Sequence, residues 1–528
     1  MRTTFRRLLR RMRSSRRKGF NLSMKMNRRN FLFGSAAAVT LAGRATNKVG
    51  LRELKPGEKR RIAMIGYGIQ MRTALIPQFL DSNYAKNVEI VAVCDCDKVR
   101  AAAGAKHVND AYKSDGCKAV YDFRDIINDP MIDAVCIATP DHWHAYIAIE
   151  AMKHGKDVYC EKPLTFSPEE SKLIIEAQKK YDRVFQTGSM QRSWKEFRTA
   201  VMIVRNGFIG DVMYVDANYG IGGKKLGGPS HPMRFFDDPN NAAKEGAPNP
   251  DVDWDMWLGP SKYRPYSDQL APRGVNHFYP MFWRFDDEIG TGYNGDWGAH
   301  HLDIAQWGLD MDKSGPVKAI CSTEPHSTDL YHGGRRQYGM KMIFKKPYGD
   351  VELYHGPFGV WGTVFYGTNG IVAVNRGKVA VWVGTGLVKP TAEIRKQLDD
   401  ASFMKDKLIA ASIGKDYGTD ATVKKDNALD TALATLVKHF DLDNAKVQLY
   451  KSPNQVQNFC ECIESRKMTI SPAEVGARGA VLCQICNMSY VYDTGFDWDP
   501  KNFTFANGTG DPAWLKRAYY RNGWDIKL

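Results

Sequence analysis

Four short apolar runs between residues 62 and 160 each end in residues that a buried strand cannot carry further, and helix-length segments separate them. Ile62-Ala63-Met64-Ile65 stops at Gly66-Tyr67-Gly68, and Val88 to Cys94 stops at Asp95. Ala134 to Ala138 stops at Thr139-Pro140, and Val158-Tyr159-Cys160 at Glu161-Lys162-Pro163. Continuous apolar strands alternating with helices predict a parallel sheet covered on both faces. The intervening helices carry their own boundaries. Ala145 to Lys153 is stopped by Gly155, and Ser167-Pro168-Glu169-Glu170 reads as N-cap, proline at the first helical position and a capping-box glutamate.

The first of these strand ends has the form of a phosphate-binding turn. Glycines at 66 and 68 let backbone approach a pyrophosphate, with Ile69 and Gln70 opening the following helix, whose N-terminus favours an anion. Asp95, 29 positions after Gly66, ends the second strand. Its carboxylate is expected to bond a ribose 2′-hydroxyl and to repel a 2′-phosphate, which predicts NAD in preference to NADP. Met71 stands at the third position of the glycine fingerprint, so helix and strand must pack differently there. Residues 58–190 are therefore expected to form a Rossmann domain, a doubly wound parallel sheet.

From Thr139 to Pro163 the chain reads TPDHWHAYIAIEAMKHGKDVYCEKP. This segment resembles the glucose-fructose oxidoreductase / inositol dehydrogenase (Gfo/Idh/MocA) family, marked by Glu-Lys-Pro at a strand end. The resemblance extends through DWGAHHLDIAQWGL (296–309), GTNGIVAVNRG (367–377) and FDWDP (496–500). It implies that Thr139, Pro140, Trp143 and His144 line the nicotinamide half of the cofactor, that Glu161 contacts the adjacent ribose, and that Lys162 touches the reacting hydroxyl.

The chemistry is also readable from the residues. Oxidising a carbinol removes a hydride and a proton, and a lysine at the C-terminal end of a parallel strand sits in the crevice where such sheets bind ligands. If 296–303 is helical, Asp296, His300 and Asp303 share one face while His301 points about 100° away. The Asp-x-x-x-His spacing resembles the family's second catalytic pair, with His300 exchanging the hydroxyl proton and Asp296 orienting it. Adjacent histidines that project differently argue against a metal site, and none is expected.

Beyond Arg192 the alternation fades, and residues 191–490 are expected to form an α+β domain with a large, mostly antiparallel open sheet, followed by an extension over 491–528. Segments such as Lys341 to Phe344 and Val379 to Val383 supply its strands. Residues 220–250, with five glycines between 220 and 228, suggest an extended loop or lid. Residues 253–297 hold eleven aromatics, flat surfaces suited to sugar C–H faces, to core, or to a subunit contact. Lys162, Arg192, Trp283, Arg284 and His301 are the candidate substrate contacts.

The formal net charge of +15 would suggest a nucleic-acid partner, but eleven Arg and three Lys with no Asp or Glu fall in residues 1–50. The basicity belongs to a leader, and no nucleic acid is expected. Arg28-Arg29 before a weakly apolar run from Phe31 to Gly43 has the form of a twin-arginine export signal, too short for a permanent membrane anchor. A periplasmic location is the expectation, with cytoplasmic function the alternative. The ten cysteines lack finger-like spacing and read as buried thiols. The expected activity is hydride transfer between a tightly bound nicotinamide cofactor and a sugar, glycoside or cyclic polyol, in a homo-oligomer. NAD-dependent glycoside cleavage by transient oxidation and a non-catalytic carbohydrate-binding protein are the alternatives.

Overall fold

The computed structural model describes residues 52–218, 243–275, 282–292, 294–321, 340–356, 358–413, 427–518 and 520–528. The leader and most of the glycine-rich 220–250 stretch lie outside them.

Six strands form a parallel sheet: β1 Arg60–Ile65, β2 Val88–Cys94, β3 Lys118–Val120, β4 Ala134–Ile137, β5 Asp157–Cys160 and β6 Phe185–Thr187. Their order is β3-β2-β1-β4-β5-β6, the doubly wound arrangement in which strand order reverses between β1 and β4 and opens a crevice at the strands' C-terminal ends. All four runs read from the sequence are strands; β3 and β6, at the two edges, are too short for a pattern to stand out. Helices α1 Ile76–Leu80, α2 Lys98–Tyr112, α3 Phe123–Asn128, α4 His144–Lys153 and α5 Pro168–Tyr181 accompany them. The helix after the glycine turn begins with a π-turn at Met71–Leu75, and the fully buried Met71 side chain fills the gap that a glycine would have closed. At α5 the Ser167 hydroxyl accepts the Glu170 amide. Glu170 reaches back to the amide of Phe166, one residue before the cap.

The second sheet has ten strands: β7 Val212–Asn218, β8 Lys318–Ile320, β9 Met340–Lys346, β10 Gly349–Gly356, β11 Thr363–Gly367, β12 Gly370–Asn375, β13 Lys378–Val383, β14 Leu408–Ser412, β15 Phe496–Asp499 and β16 Thr504–Phe505. Their order is β14-β13-β12-β11-β7-β10-β9-β8-β15-β16. The pairing is antiparallel except between β7 and β10. The helices of this half are α6 Lys195–Arg205, α7 Trp254–Leu258, α8 Ala299–Gly308, α9 Ala392–Asp399, α10 Asn427–His439, α11 Gln455–Ser465 and α12 Ala473–Val491. Of these, α11 packs its apolar face into the parallel sheet's core, beside Tyr159 and Phe79. Among the described residues no helix is long and apolar enough to cross a membrane. All ten cysteines are free thiols, eight of them buried.

Helix α8 is buried along its whole length, and two histidines lie in its packing against the sheet. His301 Nδ1 donates to Asn218 O at 2.7 Å, and His355, on β10, bonds Ala217 O through Nδ1 at 2.8 Å. Burial lowers His301 to about 3 and His355 to about 4. A histidine held neutral takes up a proton more readily once the chain unfolds. Its stabilising contribution is therefore complete above the unfolded value of 6.5 and is lost as the pH falls toward the folded value. Each should withdraw roughly 2 kcal/mol between pH 7 and pH 5. Urea midpoints measured across that range should drop accordingly, and His355→Gln should flatten the slope; a pH-independent midpoint would contradict the buried neutral state.

Candidate functional site

The crevice above β1 and β4 opens into a cavity of about 560 Å³, within the range of small-molecule sites. Its floor is the strand-end turns. Gly66 has φ +88°, and a Cβ there would meet Ala138 O at 2.8 Å, so only glycine lets the β1 and β4 ends lie this close. At Gly68 a Cβ would meet no protein atom within 4 Å, which leaves bare backbone facing the cavity beside Ile69 and Gln70. Asp95 lines the cavity, and its carboxylate accepts the amides of Tyr67 at 2.8 Å and Asp97 at 2.9 Å, which fixes both turns around it. Burial raises its pKa, opposed chiefly by Arg100.

The next wall is the 139–144 turn. Thr139 Oγ1 is buried without a partner in the protein. His144 bridges Thr139 O at 3.0 Å and Pro163 O at 2.9 Å, tying this turn to the Glu-Lys-Pro turn. Trp143 packs against Gly259, where a Cβ would lie 2.4 Å from the indole, and donates Nε1–H to Met256 O at 3.1 Å. Glu161 accepts from Gln70 Nε2 at 3.1 Å. Its pKa is raised by burial and partly restored by Lys162 and Gln70.

Two domains meet at Lys162. Its Nζ donates to the carboxylate and to the carbonyl oxygen of Asp296, each at 2.8 Å. The other Asp296 oxygen faces Arg284 Nε at 3.4 Å, and Arg284 stacks on Trp283 with 4.4 Å to the ring centre. Asp296 sits in a π-turn, Asn294–Gly298, that leads into α8. The first buried ring of α8, His300, lies edge-on to Trp297. Burial, then Arg376 and Lys162, hold its pKa well below the ordinary histidine value. The sequence places Asp296 where it can orient His300, and in the structure its carboxylate also meets Lys162 and Arg284.

Lys162, Asp296, His300, Trp283, Arg284 and every residue expected to bind the cofactor line this one cavity. Two expected substrate contacts do not. His301 follows His300 on a helix, so it turns away from the cavity and is buried against the Gly362 backbone in the sheet. Arg192 is 1% exposed and forked between two carboxylates. It bonds Asp303 at 2.8 Å through both Nε and Nη2, and Asp312 at 2.8 and 2.9 Å. That pairing points the Asp303 carboxylate at Arg192, and Asp303 does not line the cavity with His300. Sequence reasoning missed Arg376, which lines the cavity from the β12–β13 turn, stacked 4.5 Å from the Trp297 ring. It stands in the 367–377 segment, where only the buried guanidinium, not its residue type, reveals a role.

A nucleotide-binding sheet whose crevice is closed by a second, open-sheet domain defines a two-domain oxidoreductase architecture. Residues 60–189 match the family model described as oxidoreductase family, NAD-binding Rossmann fold, and residues 234–342 match that family's C-terminal alpha/beta domain. Both matches are to models of the Gfo/Idh/MocA oxidoreductase family. It is 28% identical over 233 residues to levoglucosan dehydrogenase of Pseudarthrobacter phenanthrenivorans, covering 44% of this chain and 46% of that one. It is 34% identical over 139 residues to inositol 2-dehydrogenase of Salmonella typhimurium, covering 26% and 40%. The chain thus spans less than half the length of these curated relatives. Two solved structures share the fold, each with a TM-score of 0.50. Levoglucosan dehydrogenase with NADH and levoglucosan is 17% identical, covering 84% of this chain and 100% of that one. An oxidoreductase domain protein from Kribbella flavida is 16% identical, covering 83% and 99%.

The residues present fit NAD. An uncovered glycine backbone, the unpartnered Thr139 hydroxyl and the Asp95 and Glu161 carboxylates lie along one crevice, matching a pyrophosphate, an amide-bearing ring and ribose hydroxyls. Arg192, by contrast, ties the turn after β6 to α8 and the residues beyond it. Arg192→Ala should destabilise the protein by about 3–5 kcal/mol, because it leaves Asp303 buried without a counter-ion. A denaturant midpoint near that of the unaltered protein would return Arg192 to the list of ligand contacts.

Proposed function

We propose that this protein oxidises a ring hydroxyl of a sugar, glycoside or cyclic polyol, with NAD held in the crevice. The observation that carries the reading is the meeting of Lys162, Asp296 and His300 in the cavity that the glycine turn opens into. Two relatives bear names of dehydrogenases for cyclic polyhydroxy compounds, levoglucosan and inositol. Gly66, Gly68, Ile69 and Gln70 would hold the pyrophosphate, Asp95 and Glu161 the riboses, and Thr139, Pro140, Trp143 and His144 the nicotinamide. Bound NAD supplies the hydride acceptor.

The chain's own groups divide the remaining work. Two of the three N–H bonds of Lys162 go to Asp296, and the third is available to a substrate oxygen. The pair thus orients the hydroxyl. His300, kept neutral by burial, accepts its proton. Trp283 and Trp297 offer ring faces to the substrate's C–H surface. Lys162→Ala should abolish most turnover while leaving NADH binding intact, and His300→Ala should lower kcat by about 10²–10⁴. A sugar and polyol panel followed by NADH absorbance measures both, and near-normal rates in either variant would refute the roles.

Segment 249–275 supports a tightly held cofactor. Lys98 N bonds Asp251 O and Asp253 N bonds Cys96 O, each at 2.9 Å, and the Arg100 guanidinium reaches the carbonyls of Pro272 and Gly274. The segment thereby closes the Asp95 side of the crevice. Retention of this kind is a matter of slow release. It suits export through the twin-arginine route, which carries folded proteins, with NAD loaded beforehand. Protein recovered from the periplasm, dialysed and denatured, should release near-stoichiometric NAD(H), and replacing Arg28 and Arg29 by Lys should stop that recovery. Periplasmic recovery that survives the replacement, or empty enzyme, would refute export with the cofactor already loaded.

A further inference from the structure

The end of the chain packs against the back of the cavity wall. Trp143 and Phe123 both line the cavity, and the Trp524 ring lies behind them. Its centroid is 4.9 Å from that of Trp143 at 80° and 6.0 Å from that of Phe123, with Tyr146 at 5.2 Å. Arg124 covers the Trp524 ring at 5.5 Å.

The same segment grips α7, which contributes Met256 and Trp257 to the cavity. Arg521 Nε donates to Ser261 O at 2.9 Å, Nη2 donates to Asp255 O at 2.8 Å, and Nη1 pairs with the Asp255 carboxylate. Asn522 Nδ2 adds a bond to the other Asp255 oxygen at 2.9 Å, and the Arg521 amide bonds Pro260 O at 3.2 Å. Further back, Arg517 and Glu170 form an ion pair at 3.0 Å with side chains only 3% and 2% exposed, and Arg517 also donates to Glu288 O. The wall gripped this way is a seam between halves of the molecule. Trp143, from the parallel-sheet half, and Met256, from the other, touch through one indole bond and the Gly259 contact.

We propose that Arg517, Arg521 and Trp524 form a positioning element of the cofactor cavity, with Trp524 setting the Trp143 indole from behind and Arg521 setting α7 against it. None of these three side chains lines the cavity, so each acts through a lining residue. The segment lies far in sequence from the glycine turn, yet it sets the width of the slot between Trp143, Phe123 and Met256. This inference rests on the cofactor occupying that slot.

Trp524→Ala should weaken NADH binding about tenfold, as the aromatic contacts behind Trp143 are lost. The KM for NAD should rise in parallel while kcat changes little. Trp524→Phe, which restores a ring, should recover most of the affinity; a generally weakened fold would not separate KM from kcat in this way. Asp255→Asn removes an exposed carboxylate and leaves the core intact. It should weaken NADH binding about two- to threefold, and it carries the test should Trp524→Ala not accumulate as folded protein. NADH fluorescence titration reads each variant. Unaltered affinity in folded Trp524→Ala and in Asp255→Asn would overturn the inference alone. An unaltered protein that takes up no NADH would overturn it together with the cofactor assignment.

Discussion

The contact between Lys162 and Asp296 is the constraint around which the site is arranged. It joins the end of β5 to the turn before α8, residues 134 positions apart, and each partner is mostly buried, with side chains 17% and 12% exposed. A lysine so enclosed needs its counter-charge, and a carboxylate so enclosed needs its cation. Neither domain can therefore turn away from the other without stranding a charge. The closure that forms the cavity and the pairing that orients its lysine are one event.

A second fork of charge lies behind the first. Arg192 leaves the parallel-sheet side just after β6 and meets Asp303 on α8 and Asp312 beyond it. Helix α8 thus carries His300 toward the cavity, His301 toward the sheet and Asp303 toward Arg192, three jobs on three faces within four residues. Such density explains why no residue of α8 is exposed. It also explains the π-turn at Asn294–Gly298. In that turn Asp296 offers both its carbonyl and its carboxylate to Lys162, and a regular helix would have spent the carbonyl on its own hydrogen bond.

What was legible in the chain follows the range of the interactions. The glycine turn, the strand ends and the Ser167 cap are set by neighbours a few residues away, and their residue types state the geometry. The Lys162 site was legible because a strand's C-terminal end in a parallel sheet has a fixed relation to the crevice. Arg192 and Arg376 were misread or missed for one reason. An arginine looks the same in sequence whether it meets a substrate or a buried carboxylate, and only the fold supplies Asp303 to one and Trp297 to the other. The aromatics of 253–297 divide likewise. Trp254 and Trp257 stack at 4.7 Å in a satellite core, with Trp257 also reaching the cavity, whereas Trp283 and Trp297 line it beside Lys162, Asp296 and His300. The 220–250 lid expectation concerns residues largely outside the described part of the chain.

The electrostatics of the cavity sort its groups into two kinds. Lys162 and Arg284 both pair with the Asp296 carboxylate. His300, Glu161 and Asp141 are pushed toward their neutral forms, and in each case burial is the largest cause. Asp141 is steadied by Thr291, whose hydroxyl and amide both donate to it at 2.6 and 3.0 Å, and Thr291 O in turn accepts from Asn487 on α12. The oxidation proposed above, which separates a hydride from a proton, would gain from such a division. The paired charges hold geometry without needing to reorganise. The unpaired imidazole, reluctant to charge in isolation, gains a partner as alkoxide character develops on an oxygen beside it. In the proposed oxidation, the low polarity that makes His300 a weak base would strengthen its attraction to that oxygen in the transition state, where the attraction is useful.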